Sequence, residues 1–181
     1  MIVVNPYAAD TILLLARLGL GLTLAAHGYG KFFRGGKIAG TARWFDSMGM
    51  RPGKMHALLA ATTEFGGGLM MAAGLLTPLV GAAFVGLMIV AGYTDHRKNG
   101  FFIVKQGWEY NWIIALFAVM ISTLGPRRWS LDNAIGVQRH FYDWFGHDCY
   151  GWAGLLISSV VGIVAGVGTL VVFYRPPPDD A

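Results

Sequence analysis

The sequence predicts an all-α membrane protein. Three observations carry that reading. Of 181 residues, 55% are hydrophobic and only 13% are charged. The apolar residues fall in long blocks, several near the roughly 20 residues that a helix needs to cross a hydrocarbon core. Inside such a core every backbone N–H and C=O must be paired within the protein, which favours helices over open strands.

Five runs qualify as transmembrane helices. The first extends from about Ala8 to Phe33, with Asn5-Pro6 and Asp10 as start signals. The second covers about Met55 to Leu76, opening after Arg51-Pro52-Gly53 and closing at Leu76-Thr77-Pro78. The third, about Leu79 to Tyr93, and the fourth, about Glu109 to Leu124, are near the short limit for a span and are punctuated by Pro78 and Gly125-Pro126. The fifth, Trp152 to Tyr174, contains no charge at all. The tail from Arg175 through Pro176, Pro177 and Pro178 cannot continue a helix and is expected to fray.

Two connecting segments belong at the membrane surface. Ile38 to Met50 places Ala42, Phe45 and Met48 or Gly49 on one side, a pattern for a short interfacial helix. Arg127 to Gly151 is dense in aromatics, including Trp129, Phe141, Trp144 and Tyr150, which favour the headgroup level. With five spans, Arg34, Lys37, Arg43, Arg51, Lys54, Arg97, Lys98, Lys105 and Arg175 share one side, against Arg127, Arg128 and Arg139 opposite. The positive-inside bias then puts the N-terminus outside and the C-terminus in the cytoplasm of a bacterial cytoplasmic membrane.

The net charge of +4 does not make this a nucleic-acid binder, because the basic residues flank apolar runs instead of covering one polar face. Cys149 is the sole cysteine, so one chain builds no internal disulfide, CxxC pair or thiolate-ligated iron–sulfur cluster. Any electron carrier comes from a partner. The first sixteen residues hold no Lys or Arg and no cleavage site ends the first apolar run, so the first helix is expected to stay.

The chemistry concentrates where charge enters apolar runs. Arg17, His27 and Lys31 lie in the first helix, with His27 and Lys31 four apart on one face and Arg17 about 15 Å away along the axis. Glu64 sits near the middle of the second, where a charge costs on the order of 3 kcal/mol unless paired or protonated. Antiparallel packing places Glu64 at a depth between Arg17 and His27, within reach of either. Gly66-Gly67-Gly68, with Gly19, Gly21, Gly28 and Gly30 opposite, permits the close approach. His27 and Glu64 are therefore the candidate proton-carrying catalytic pair, unless the charges only fix helix register. Trp108 and Glu109, closing the segment that begins at Thr94-Asp95-His96, are candidates for the pocket mouth, though a solvated hairpin explains them equally well.

Other constellations carry less. His140, His147, Asp148 and Cys149 match no zinc signature, and His56 and His96 lie too near the boundary to sandwich a haem with His27, so no metal is expected. In the fifth helix Gly154, Ser158, Gly162 and Gly166 recur every four residues as a ridge of small side chains, marking a close contact with this bundle or with another chain.

Arg17 with HGYGKFF at 27 to 33, Glu64-Phe-Gly-Gly-Gly followed by Gly74-Leu-Leu-Thr77, and Gly125 leading to Trp129-Ser-Leu-Asp132 together resemble the DoxX/DoxD family of small membrane proteins. The resemblance implies a four-helix membrane domain over residues 1–136. It leaves 137–151 as an aromatic interfacial segment, 152–174 as an added fifth transmembrane helix and 175–181 as a polar tail. It also implies association with membrane redox systems, since DoxD-like chains are subunits of thiosulfate:quinone oxidoreductases, and it carries His27, Lys31 and Glu64 over as motif residues.

The function expected is a membrane subunit of an oxidoreductase assembly. Its pocket between the first, second and fourth helices would receive a quinone, bound by Arg17, Lys31, Trp108 and Glu109 with His27 and Glu64 handling protons. No covalent cofactor is expected; the partners are the lipid bilayer and other redox subunits. Two further readings stand beside it, a non-catalytic scaffold and a small-solute or proton pathway.

Overall fold

The computed structural model describes residues 5–176, and every named element among them is a helix. Helix α1 is Pro6–Phe33. It begins slightly earlier than Ala8 because the Asn5 side chain accepts the Tyr7 N–H at 3.0 Å and Pro6 occupies the first turn. Asp10, expected as a start signal, is instead buried and ion-paired to Arg127 at 3.0 Å.

Helix α2, Lys37–Ser47, is the short amphipathic element expected before the second long helix, and it buries Phe45. Helix α3 runs over residues 53–73 as Gly53–Thr62, a π-turn at Thr63–Gly67, and Gly68–Ala73. The Asp46 carboxylate accepts the Gly53 N–H at 2.7 Å and secures its start. It stops before the expected Leu76 because Gly74 adopts φ 66°, the left-handed conformation that ends helices.

Helix α4, Thr77–Asn99, extends past the expected Tyr93 through a second π-turn at Gly92–His96. Its start is set by Asp132, whose carboxylate accepts the N–H groups of Leu76 at 2.7 Å and Thr77 at 3.0 Å and the Thr77 hydroxyl at 2.8 Å. Helix α5 is Glu109–Leu124, as expected. The aromatic connection folds into two short helices, α6 at Leu131–Ala134 and α7 at Val137–Phe145, before α8 at Trp152–Phe173.

Three of these helices, α1, α4 and α8, are long and apolar enough to cross a membrane, while α5 is a shorter apolar helix of 16 residues. The chain is thus an all-α integral membrane protein.

Helix α4 is central, packing on α5 and α8, while α1 packs on α3. The α1–α3 crossing uses three of the seven available glycines, Gly21, Gly28 and Gly68. A Cβ at Gly21 would lie 2.5 Å from the Gly68 carbonyl oxygen and one at Gly28 2.8 Å from Phe65 Cα, whereas Gly19, Gly30 and Gly66 face open space. Between Arg17 and His27 the bundle is filled by Leu20, Leu24, Met71, Phe84, Ile114 and Ile121.

The small-residue ridge of α8 lies against this bundle. A Cβ at Gly162 would come within 2.7 Å of the Ala82 carbonyl oxygen and one at Gly166 within 3.0 Å of the Gly86 carbonyl oxygen. Gly154 lies against Ser122, and Ser158 is fully buried with its hydroxyl donating to the Gly154 carbonyl at 2.7 Å. Beyond α8, Met50 pairs with Tyr174 as an isolated antiparallel bridge, and Arg175 N–H donates to the Gly49 carbonyl at 2.8 Å. The tail is therefore pinned at Arg175, where fraying was expected, and residues 177–181 lie outside the described residues.

Candidate functional site

The charges of α1 separate to two ends of the bundle. At one end Lys31 and Glu64 form an ion pair across α1 and α3, with Glu64 7% exposed. This corrects the expectation that Glu64 pairs with Arg17 or His27. The reason lies in the crossing register, which seats Gly28 on Ala61 and Phe65 and so brings Glu64 level with the turn of α1 that carries Lys31. Four residues from His27, Lys31 has a longer stem to reach the carboxylate.

The pair faces a cavity of about 330 Å³ between α1, α3, α4 and α5. His27 and Tyr110 line it from neighbouring helices, with ring centroids 6.4 Å apart. Asn111 lines it from α5, is 7% exposed, and has one amide atom, Oδ1, without a hydrogen-bond partner. The second π-turn delivers Thr94, Asp95 and His96 to the same wall, where His96 Nε2 lies 3.4 Å from the Asp95 carboxylate. Leu24, Phe45, Leu87 and Ile114 supply apolar surface. The site thus combines a cation, a carboxylate, an imidazole, a phenol and an amide on a largely apolar ground, which suits a ligand with a polar head and an apolar body.

Trp108 and Glu109 do not line this cavity. The Glu109 carboxylate accepts the Ile103 N–H at 2.9 Å and orders the α4–α5 connection, while Trp108 packs edge-on against Phe101 at 4.7 Å and borders a separate cleft. The adjoining residues of α5, Tyr110 and Asn111, take their place, and sequence reading missed them. The available signal was a buried asparagine in an apolar helix.

Arg17 belongs to the opposite end. Its side chain is fully buried, donating to the Ala72 carbonyl at 3.3 Å and the Trp129 carbonyl at 2.6 Å. A Cβ at Gly74 would overlap the guanidinium, so glycine there makes room for Arg17 as well as ending α3. Asp132, 1% exposed, completes this end by holding the start of α4. Arg17 and the Trp129 to Asp132 segment therefore meet as a structural clasp. Nearby, burial and then the Asp148 charge push the Cys149 thiol up to about 11, and burial with the Asp132 charge raises the Tyr150 phenol.

Among the described residues no group of three or more His, Cys, Asp or Glu side chains is placed to hold a metal ion. His147 contacts the Asp148 carbonyl at 3.2 Å, and the phenyl ring of Phe141 lies 5.6 Å from its imidazole.

No curated protein and no solved structure matches the chain. A family model does match, over residues 12–97, a stretch that contains Arg17, His27, Lys31, Glu64 and the second π-turn but ends before α5. The matching model is that of the DoxX family, and over residues 12–97, with the Lys31–Glu64 pair inside them, the chain is similar to that family of membrane proteins.

Proposed function

We propose that the chain is the membrane subunit of an oxidoreductase assembly, binding the head of a quinone and exchanging protons with it in the Lys31–Glu64 cavity. The observation that carries this reading is the convergence of the ion pair with His27, Tyr110 and the unpartnered Asn111 amide oxygen on one partly apolar cavity. Reduction of a quinone takes two electrons and two protons. The electrons come from a partner subunit, since this chain has one cysteine and it is buried at the other end. The protons pass through Glu64 and His27, while the Lys31 ammonium offers a hydrogen bond to a carbonyl oxygen on which negative charge develops. In this reading Arg17, Trp108 and Glu109 position helices and loops and do not touch the ligand.

We place this end of the bundle on the cytoplasmic side, with the N-terminus outside, since the basic residues Arg34, Lys37, Lys54, Arg97 and Lys98 flank it. We also assign α3 and α5 as spans. This makes residues 1–136 a four-helix membrane domain and α8 its addition in a bacterial cytoplasmic membrane.

The test is quinone-coupled turnover of the purified assembly. Glu64→Gln should lower it by about a hundredfold, the scale of one positioned proton-transfer group. Unchanged turnover with intact assembly rejects the reading. In that case the scaffold reading holds, favoured by the exposed apolar face of α8 at Val160, Val164, Val167 and Val171, which is available to a neighbouring subunit. A solute or proton pathway is the weaker reading, because apolar side chains from Leu20 to Phe84 fill the bundle between its two polar ends.

A further inference from the structure

A second cavity, of about 200 Å³, lies between α3, α4 and α8, on the other side of a wall formed by Phe45, Ala60, Leu87 and Val90. Its floor is built from small residues, Ala82, Ala83 and Gly86, and its rim is marked by the exposed Leu59 of α3, so it opens toward lipid. The lining is apolar but for three residues, Thr63, Thr169 and His56. The Thr169 hydroxyl is already engaged, donating to the Ala165 carbonyl at 2.7 Å.

His56 stands out among them. It is 4% exposed, held between Phe45 and an edge-on Phe173 at 5.0 Å, and its Nε2 has no partner. The Arg51 backbone beside the ring favours the imidazole proton on the other nitrogen. In the neutral imidazole Nε2 then carries a lone pair and can only accept. A buried acceptor left unmatched is costly, and this cavity offers open volume beside it.

We propose that the His56 cavity binds the ring of a lipid-soluble phenol, whose hydroxyl donates to His56 Nε2. The volume fits one aromatic ring, since a dry cavity of about 150 Å³ already takes up benzene. The Phe45 ring and the small-residue floor suit a flat ring, and the rim at Leu59 lets an alkyl tail stay in lipid. The site is separate from the Lys31–Glu64 cavity and does not rest on its proposed role.

The test uses the full chain in lipid nanodiscs with 4-octylphenol and its methyl ether, 4-octylanisole, as probes. The ether matches in shape but has no hydroxyl proton. The wild type should bind the phenol about tenfold more tightly, the scale of one hydrogen bond to a buried acceptor. His56→Phe should erase that preference, and Glu64→Gln should keep it. Ala83→Leu, which narrows the cavity without touching His56, should weaken both probes. It also keeps the site testable if His56→Phe fails to fold. Equal affinity of the two probes for the wild type, a preference retained in His56→Phe, or undiminished binding to Ala83→Leu would each overturn the proposal.

Discussion

Arg17 donates from Nη2 to the Trp129 carbonyl oxygen at 2.6 Å, joining the first helix to a loop 112 residues further along the chain. The same guanidinium reaches the Ala72 carbonyl near the end of α3. Arg17→Leu should therefore lower stability by about 3 kcal/mol, because two carbonyls lose their donor and Asp132 loses its nearby cation. Arg17→Lys should rescue little, since one ammonium lacks the planar fork that reaches both acceptors. Reversible unfolding in detergent micelles measures both, and a loss under about 1 kcal/mol for Arg17→Leu contradicts the clasp.

The Lys31–Glu64 pair is open to a double-mutant cycle. Each single change, Lys31→Met or Glu64→Gln, strands the other group in a largely enclosed cavity. The double variant should then be less destabilised than the sum of the singles, with a coupling of about 1–3 kcal/mol. Additive singles would mean that the two side chains do not interact in the folded protein.

For α8 the expectation is positional. Gly162→Val should destabilise by about 2 kcal/mol, since its side chain would meet Ala82 and Val85 backbone and side-chain atoms. Gly168→Val, where a Cβ meets nothing, should be near neutral. Thermal unfolding of the pair in one detergent separates a packed ridge from a helix that merely sits nearby.

Cys149 is buried, and its thiol is pushed up from 9.0 to about 11. At pH 8 only about one thiol in a thousand is then ionised, so maleimide labelling of the native protein should be far slower than that of the denatured chain. The raised folded value means that the protonated thiol favours folding. That contribution is complete below pH 9.0 and lost as pH rises toward about 11. Cys149→Ser should flatten the stability profile over that interval.

The helical, membrane-embedded character was legible because hydrophobic block length and the residues Pro78, Gly125 and Pro126 act locally. Helix α5 was read to its observed ends for that reason. The end of α4 was not, since its continuation past Tyr93 depends on a π-turn that no local pattern announces. The partner of Glu64 was also misjudged, while the need for one was clear from burial energetics alone. Arg17 looked like a pocket residue because depth was counted along one helix, whereas its acceptors at Ala72 and Trp129 come from segments far apart in sequence. His56 was passed over as a boundary residue, and only the return of α8 encloses it.

The pinning of Arg175 to Gly49 and the seating of Gly162 and Gly166 on α4 also set an order in time. Residue 97 closes the DoxX match, and Phe173 ends α8, so 76 residues separate them. At roughly 5–20 residues per second the ribosome needs on the order of 4–15 s to supply them. During that interval Ala82, Val85 and Gly86 face lipid without their cover, and His56 lacks Phe173. The nascent helices are then an unfinished half that must wait for its last strut, and a translational pause after α5 would lengthen the period in which another hydrophobic segment can take the place of α8.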